Sequence, residues 1–140
     1  MSRRGRITLH AVADTHVLIW YLHGDPRLSL GARAIIDESV ATGDEIGFSS
    51  ICLAEIVYLE EKARIMPNTL KRLFQELDAP DSVFVELPFD RRVAAVMPFV
   101  ERLQIPELPD RVIAATAKLH GVPLITADRR IRSSDVPTIW

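Results

Sequence analysis

The sequence predicts a three-layer α/β sandwich with a mostly parallel central sheet. Three observations carry that prediction. Short continuous apolar runs, such as Ala11-Val12-Ala13 and Val122-Pro123-Leu124-Ile125, suit strands buried on both faces. Helical segments alternate with these runs along the whole chain. Acidic residues stand just past several runs, and open parallel sheets collect functional groups beyond the carboxyl ends of their strands.

The elements follow in order. Ile7 to Ala13 reads as a strand ending at Asp14, with a helix at about 15–22. Asp25-Pro26 breaks the chain, and Ser29 suits the cap of a helix over about 30–41. Thr42-Gly43-Asp44 is a turn and Ile46 to Phe48 a second strand. Ser49 or Ser50 then caps a helix reaching about Arg64. Pro67 suits the first turn of another helix, which ends before Ala79-Pro80-Asp81. Val83 to Leu87 is a third strand, and Asp90 to about Leu103 is helical, with Pro98 kinking or dividing it. Pro109 can start a helix that ends at His120, with Gly121 at its C-terminal cap. Val122 to Thr126 is a fourth strand, Asp128 caps a short helical turn, and Thr138-Ile139-Trp140 adds an edge strand.

At 140 residues, 48% hydrophobic and 26% charged, the chain reads as one globular domain over residues 1–140. A lone cysteine, Cys52, excludes an internal disulfide and a cysteine-based zinc site, and its apolar neighbours read as core. No apolar run approaches the roughly 18 residues of a membrane span. Arg3, Arg4 and Arg6 precede too short an apolar stretch for a signal peptide. A soluble, cytoplasmic protein with no membrane partner is the expectation. The net charge of −2 does not mark a nucleic-acid binder. Residues 111–140 nevertheless carry five basic and two acidic side chains, which suits either a solvated surface or a phosphate-contacting rim.

Four carboxylates occupy apolar sequence: Asp14, Glu55, Asp110 and Asp128. A buried carboxylate without a partner costs several kcal/mol, so such groups are normally paired, neutralised or bound to a metal. Gathered together, the four make an oxygen-ligand site for a hard divalent cation. Plain helix capping explains Asp14, Asp110 or Asp128 taken singly. Glu55 is harder to explain so, because it stands about five residues into its helix between apolar neighbours. Thr15 and Thr126 can orient a ligand or a water. Glu107, one helical turn before Asp110, is either a fifth carboxylate or an exposed loop acid. His10, His16, His23 and His120 lack metal-ligand spacing and read as structural or surface residues. Leu18, Trp20, Leu22 and Leu59 suit the core, or else a dimer or partner surface.

The segments Ala13-Asp14-Thr15-His16-Val17-Leu18-Ile19-Trp20, Ser49-Ser50-Ile51-Cys52-Leu53-Ala54-Glu55-Ile56, Pro109-Asp110-Arg111-Val112-Ile113-Ala114-Ala115-Thr116-Ala117 and Leu124-Ile125-Thr126-Ala127-Asp128-Arg129-Arg130-Ile131 together resemble the four motifs of PIN-domain nucleases, in particular of VapC-type toxins. They occur in the family's order and span nearly the whole chain. The resemblance implies a Mg²⁺- or Mn²⁺-dependent endoribonuclease, the toxin of a toxin–antitoxin pair, acting on RNA such as tRNA or rRNA. It implies Asp14, Glu55, Asp110 and Asp128 at the metal site, Thr126 as a supporting hydroxyl, a homodimer, and inhibition by a cognate antitoxin protein. Many relatives carry aspartate where this chain has Glu107.

Carboxylates suit these cations because hard ions prefer oxygen, and a water so acidified can hydrolyse an RNA phosphodiester in line. Arg129 or Arg130 can hold a neighbouring phosphate, although surface arginine explains them as well. A catalytically silent PIN-like module that binds RNA or protein is the non-enzyme alternative, and a DNA-directed nuclease is another. A phosphatase of haloacid-dehalogenase type is disfavoured, because His16 stands where that class has its second aspartate. A receiver-like signalling domain lacks its aspartate and lysine in place.

Overall fold

A computed structural model describes residues 6–140, so Arg3 and Arg4 of the N-terminal basic cluster lie outside the described residues. Strand β1 (Leu9–Ala13) leads directly into helix α1 (Thr15–His23). Helix α2 (Leu30–Thr42) starts at Ser29, whose side chain accepts from the Ala32 N–H, and stops at Gly43 in the left-handed region. Then come β2 (Glu45–Ser49), α3 (Ile51–Glu61), α4 (Thr69–Asp78) and β3 (Phe84–Leu87). The remainder is α5 (Arg91–Val96), α6 (Leu108–His120), β4 (Leu124–Ile125), α7 (Arg129–Arg132) and β5 (Thr138–Ile139).

The sheet order is β3-β2-β1-β4-β5, and every pairing is parallel. The chain runs outward from β1 to β3 and then returns to the other side of β1 for β4 and β5. That reversal opens a crevice at the carboxyl ends of β1 and β4, where ligands of open α/β sheets bind. Right-handed crossovers assign α1 to α4 to one face and α5 to α7 to the other. The contacts agree: α1, α3 and α4 touch one another, and α5 packs on α6. Val12, Leu18, Ile46, Phe48, Ile56, Leu73, Leu124 and Ile125 are fully buried between these layers. Each such aliphatic contributes about 1.5–3 kcal/mol by leaving water. Cys52 is buried with them, as its neighbours implied.

Three expectations need correction. Helix α3 ends at Glu61 and not near Arg64, because Ala63 turns into the left-handed region at φ 53°. Pro67 precedes α4 and does not sit in its first turn. Asn68, at φ 67°, forms the entry, and the Leu70 N–H donates to Glu60 Oε1 at 2.6 Å. Of the two caps expected for α3, Ser49 serves, its hydroxyl accepting from the Ile51 N–H at 3.1 Å, whereas the Ser50 hydroxyl accepts from the Phe89 N–H and ties the α3 entry to the chain beyond β3. Pro98 divides its helix, as one of the two expected outcomes had it, but nothing helical continues to Leu103. A 3-10 turn over Met97–Phe99 ends there, and Arg111 pins it by donating to the Met97 and Val100 carbonyls. Among the described residues, no helix is long and apolar enough to cross a membrane.

Candidate active site

Asp14 sits at the crevice by backbone pairing. Its N–H donates to the Ile125 carbonyl of β4 at 3.1 Å, locking the end of β1 beside the end of β4. Its Oδ1 accepts from the Val17 N–H at 2.9 Å and so caps α1. Thr126, fully buried just past β4, works in two directions. Its hydroxyl hydrogen-bonds the Asp14 carboxylate and accepts from the Asp128 N–H at 3.0 Å. One threonine therefore sets the spacing between two of the acids. Asp128 Oδ1 accepts from the N–H groups of Arg130 and Ile131, capping α7 from an exposed position. The capping roles expected of Asp14 and Asp128 are thus real, and they fix where these carboxylates stand.

Glu55 is reached from α1. The Thr15 hydroxyl donates to Glu55 Oε1 at 2.5 Å and also lies 3.3 Å from Cys52 Sγ. Among the described residues, no salt bridge to a base holds Glu55. Asp110 is in the first turn of α6, where Pro109 occupies a position whose missing N–H is harmless. Helices α3 and α6 touch, which brings Glu55 and Asp110 to the same edge.

Asp14, Thr15, Glu55, Glu107, Asp110 and Asp128 line one cavity of about 410 Å³ together with His16, Trp20 and Ala127. Among the described residues, no lysine or arginine lines it. The electrostatics follow. Burial, then repulsion from Asp128, Glu107, Glu55 and Asp14, pushes the Asp110 carboxyl up to about 7. Burial also raises Asp14, against the opposing hydrogen bonds from Thr126 and Val17. The pocket is an acid cluster in need of a counter-charge.

A hard divalent cation fits that need by donor chemistry, since five carboxylates offer oxygen and, among the described residues, no lysine or arginine lines the cavity to neutralise them. Among the described residues, no three acid, histidine or cysteine side chains are gathered into a ready-made metal cage. The arrangement is an open acid pocket. Arg129 and Arg130 are exposed and lie off this cavity; Arg129 lines a separate recess with Arg132, Ser133 and Thr138. His16, read from the sequence as structural or surface, and Trp20, read as core or a partner surface, both line this cavity. His16 stands two positions, and Trp20 six, past Asp14 in α1, so the first turns of a helix starting at Asp14 hold the available signal.

Residues 11–136 match the PIN domain family. The chain is 32% identical to Ribonuclease VapC22 of Mycobacterium tuberculosis over 132 residues, covering 91% of this chain and 95% of that protein. A toxin–antitoxin complex from Klebsiella pneumoniae contains a chain of 25% identity and TM-score 0.61, with 88% of this chain and 91% of that one covered. VapBC2 from Rickettsia felis, bound to a promoter DNA fragment, superposes at TM-score 0.65 over 91% of this chain and 96% of that one. At 16% identity, that last likeness is one of fold.

Proposed function

The chain belongs to the PIN-domain family and is related to the VapC-type toxins, and from that premise we propose that it is a divalent-metal-dependent endoribonuclease, the toxin half of a toxin–antitoxin pair. The observation that carries this reading is the five-carboxylate pocket lined, among the described residues, by no lysine or arginine, at the sheet's switch point. Asp14, Glu55, Asp110 and Asp128 are the proposed holders of Mg²⁺ or Mn²⁺, with Glu107 at the exposed rim.

Mg²⁺ commonly uses only one or two carboxylates and completes its shell with water and substrate phosphate, so an open pocket suits it. When bound, the cation supplies positive charge to the phosphoryl oxygens and acidifies a water. The chain's own groups do the positioning. Thr126 holds Asp14 and Asp128 at a fixed separation, and Thr15 holds Glu55. Water adds to phosphorus in line as the bond to the leaving ribose oxygen breaks; a carboxylate facing the water would take up its proton, and the leaving oxygen would take a proton from solvent to become a hydroxyl. Arg129 or Arg130, just past Asp128, contacts a phosphate farther along the strand. The proposed partners are an RNA such as tRNA or rRNA, a second copy of the chain, and a small antitoxin protein. The complexes formed by its structural relatives support the last of these.

The test is cleavage of total RNA by the purified protein in Mg²⁺ and in EDTA, read by mapping new ends. Discrete ends should form only with the metal, and Asp14→Asn should abolish them while keeping the wild-type circular dichroism. Cleavage that survives in EDTA or in the folded variant contradicts the mechanism. RNA retention without cleavage favours the catalytically silent binding module.

A further inference from the structure

His16 and Trp20 line the acid cavity without adding a carboxylate to it, and the His16 imidazole favours the charged form of Asp14. The two are four residues apart on α1 and therefore share one helix face. Their ring centroids lie 5.7 Å apart with the planes tilted at 51°. Trp20 is half-buried and braced: the Arg27 guanidinium lies 5.2 Å from its ring centre, and Trp140 leans on it at 6.0 Å. Arg27 is itself held by Asp25 at 2.7 Å. His16 is exposed, so the pair presents one open ring backed by one fixed ring at the lip of the pocket.

We propose that His16, backed by Trp20, is a stacking platform for a nucleobase flanking the scissile phosphate. The proposal rests on the nuclease reading above. Acids that hold a cation engage the phosphate and say nothing to the base, whereas rings lining the same cavity offer a π-face beside them. Every base has such a face, so a stacking platform tolerates base identity. Cleavage should therefore show little preference for the identity of the flanking base.

The experiment measures anisotropy of a labelled 2′-O-methyl octauridylate and of the same octamer with two central abasic residues, in Mg²⁺ at pH 8. Wild type should bind the base-bearing strand more tightly. His16→Ala should weaken that strand by about five-fold or more, in the range of one lost base–aromatic stack, and leave the abasic strand unchanged. His16→Phe should restore the difference, since it keeps the ring and removes any charge. Equal binding of both strands by wild type, equal weakening of both by His16→Ala, or failure of His16→Phe to restore overturns the platform. The nuclease reading is judged separately by cleavage of RNA. A protein that cleaves but binds both strands alike loses the platform alone. One that shows base-dependent binding without cleavage loses the nuclease reading alone.

Discussion

Asp110 carries the electrostatic conflict of the pocket in one side chain. Its carboxyl sits at about 7 in the folded protein, through burial first and the neighbouring acids second, against about 4 in an unfolded chain. The folded state therefore holds this proton more tightly than the unfolded state does. The contribution to stability is intact below about pH 4, is lost as pH rises towards 7, and stays lost above it. In EDTA, the wild-type melting temperature should fall across that window relative to Asp110→Asn, which removes the titrating group. At pH 8 the variant should melt higher. Parallel pH profiles for the two proteins would show that Asp110 is not strained in the metal-free fold. Asp14, Glu55 and Asp110 were legible because carboxylates that the fold wholly or partly buries are costly, whereas Asp128 is exposed and was legible as a helix cap. Thr126 was legible as a hydroxyl able to orient a ligand or a water. Its simultaneous contact with Asp14 and Asp128 depends on β1 and β4 lying side by side, which no local spacing encodes.

Among the elements, caps and stops read well where the residue type itself enforces them. Ser29 and Gly43 bound α2, and Gly121 ends α6, as their side-chain and backbone chemistry requires. Boundaries failed where a distant partner decided the outcome. Glu60 supplies the acceptor at the start of α4. Of the two candidate caps for α3, Ser50 turns to Phe89 across the gap between α3 and the chain after β3, and Ser49 serves. The seat of the last residue is similarly remote. A Cβ on Gly31 of α2 would stand 2.7 Å from the Trp140 carbonyl oxygen, a backbone atom. Alanine improves helix propensity by up to about 1 kcal/mol over glycine, but overpacking costs about 1–3 kcal/mol. Gly31→Ala should therefore lower the melting temperature by about 3 °C. A rise would show that Trp140 yields its seat freely and braces Trp20 little.

For the molecule as a whole, the alternation of elements disclosed the layered class but not the strand order. Pairing order is a long-range property: β1 and β4 are neighbours although more than a hundred residues of sequence separate Val12 from Leu124. That single adjacency creates the crevice and decides which acids meet. Asp14 and Asp128 arrive from neighbouring strand ends, and Glu55 and Asp110 arrive on two helices that touch. Net charge at this scale is misleading, because −2 over 140 residues conceals an acid pocket flanked by the exposed arginines of α7. The central claim is that this pocket takes a divalent cation. Calorimetric titration of Mn²⁺ into the purified protein at pH 6 and pH 8, alongside Asp110→Asn, tests it most directly. The account predicts saturable binding that is tighter at pH 8, with a proton released at pH 6, and marked weakening in the variant. No saturable binding by the folded wild type, or binding that Asp110→Asn leaves unchanged, would contradict it.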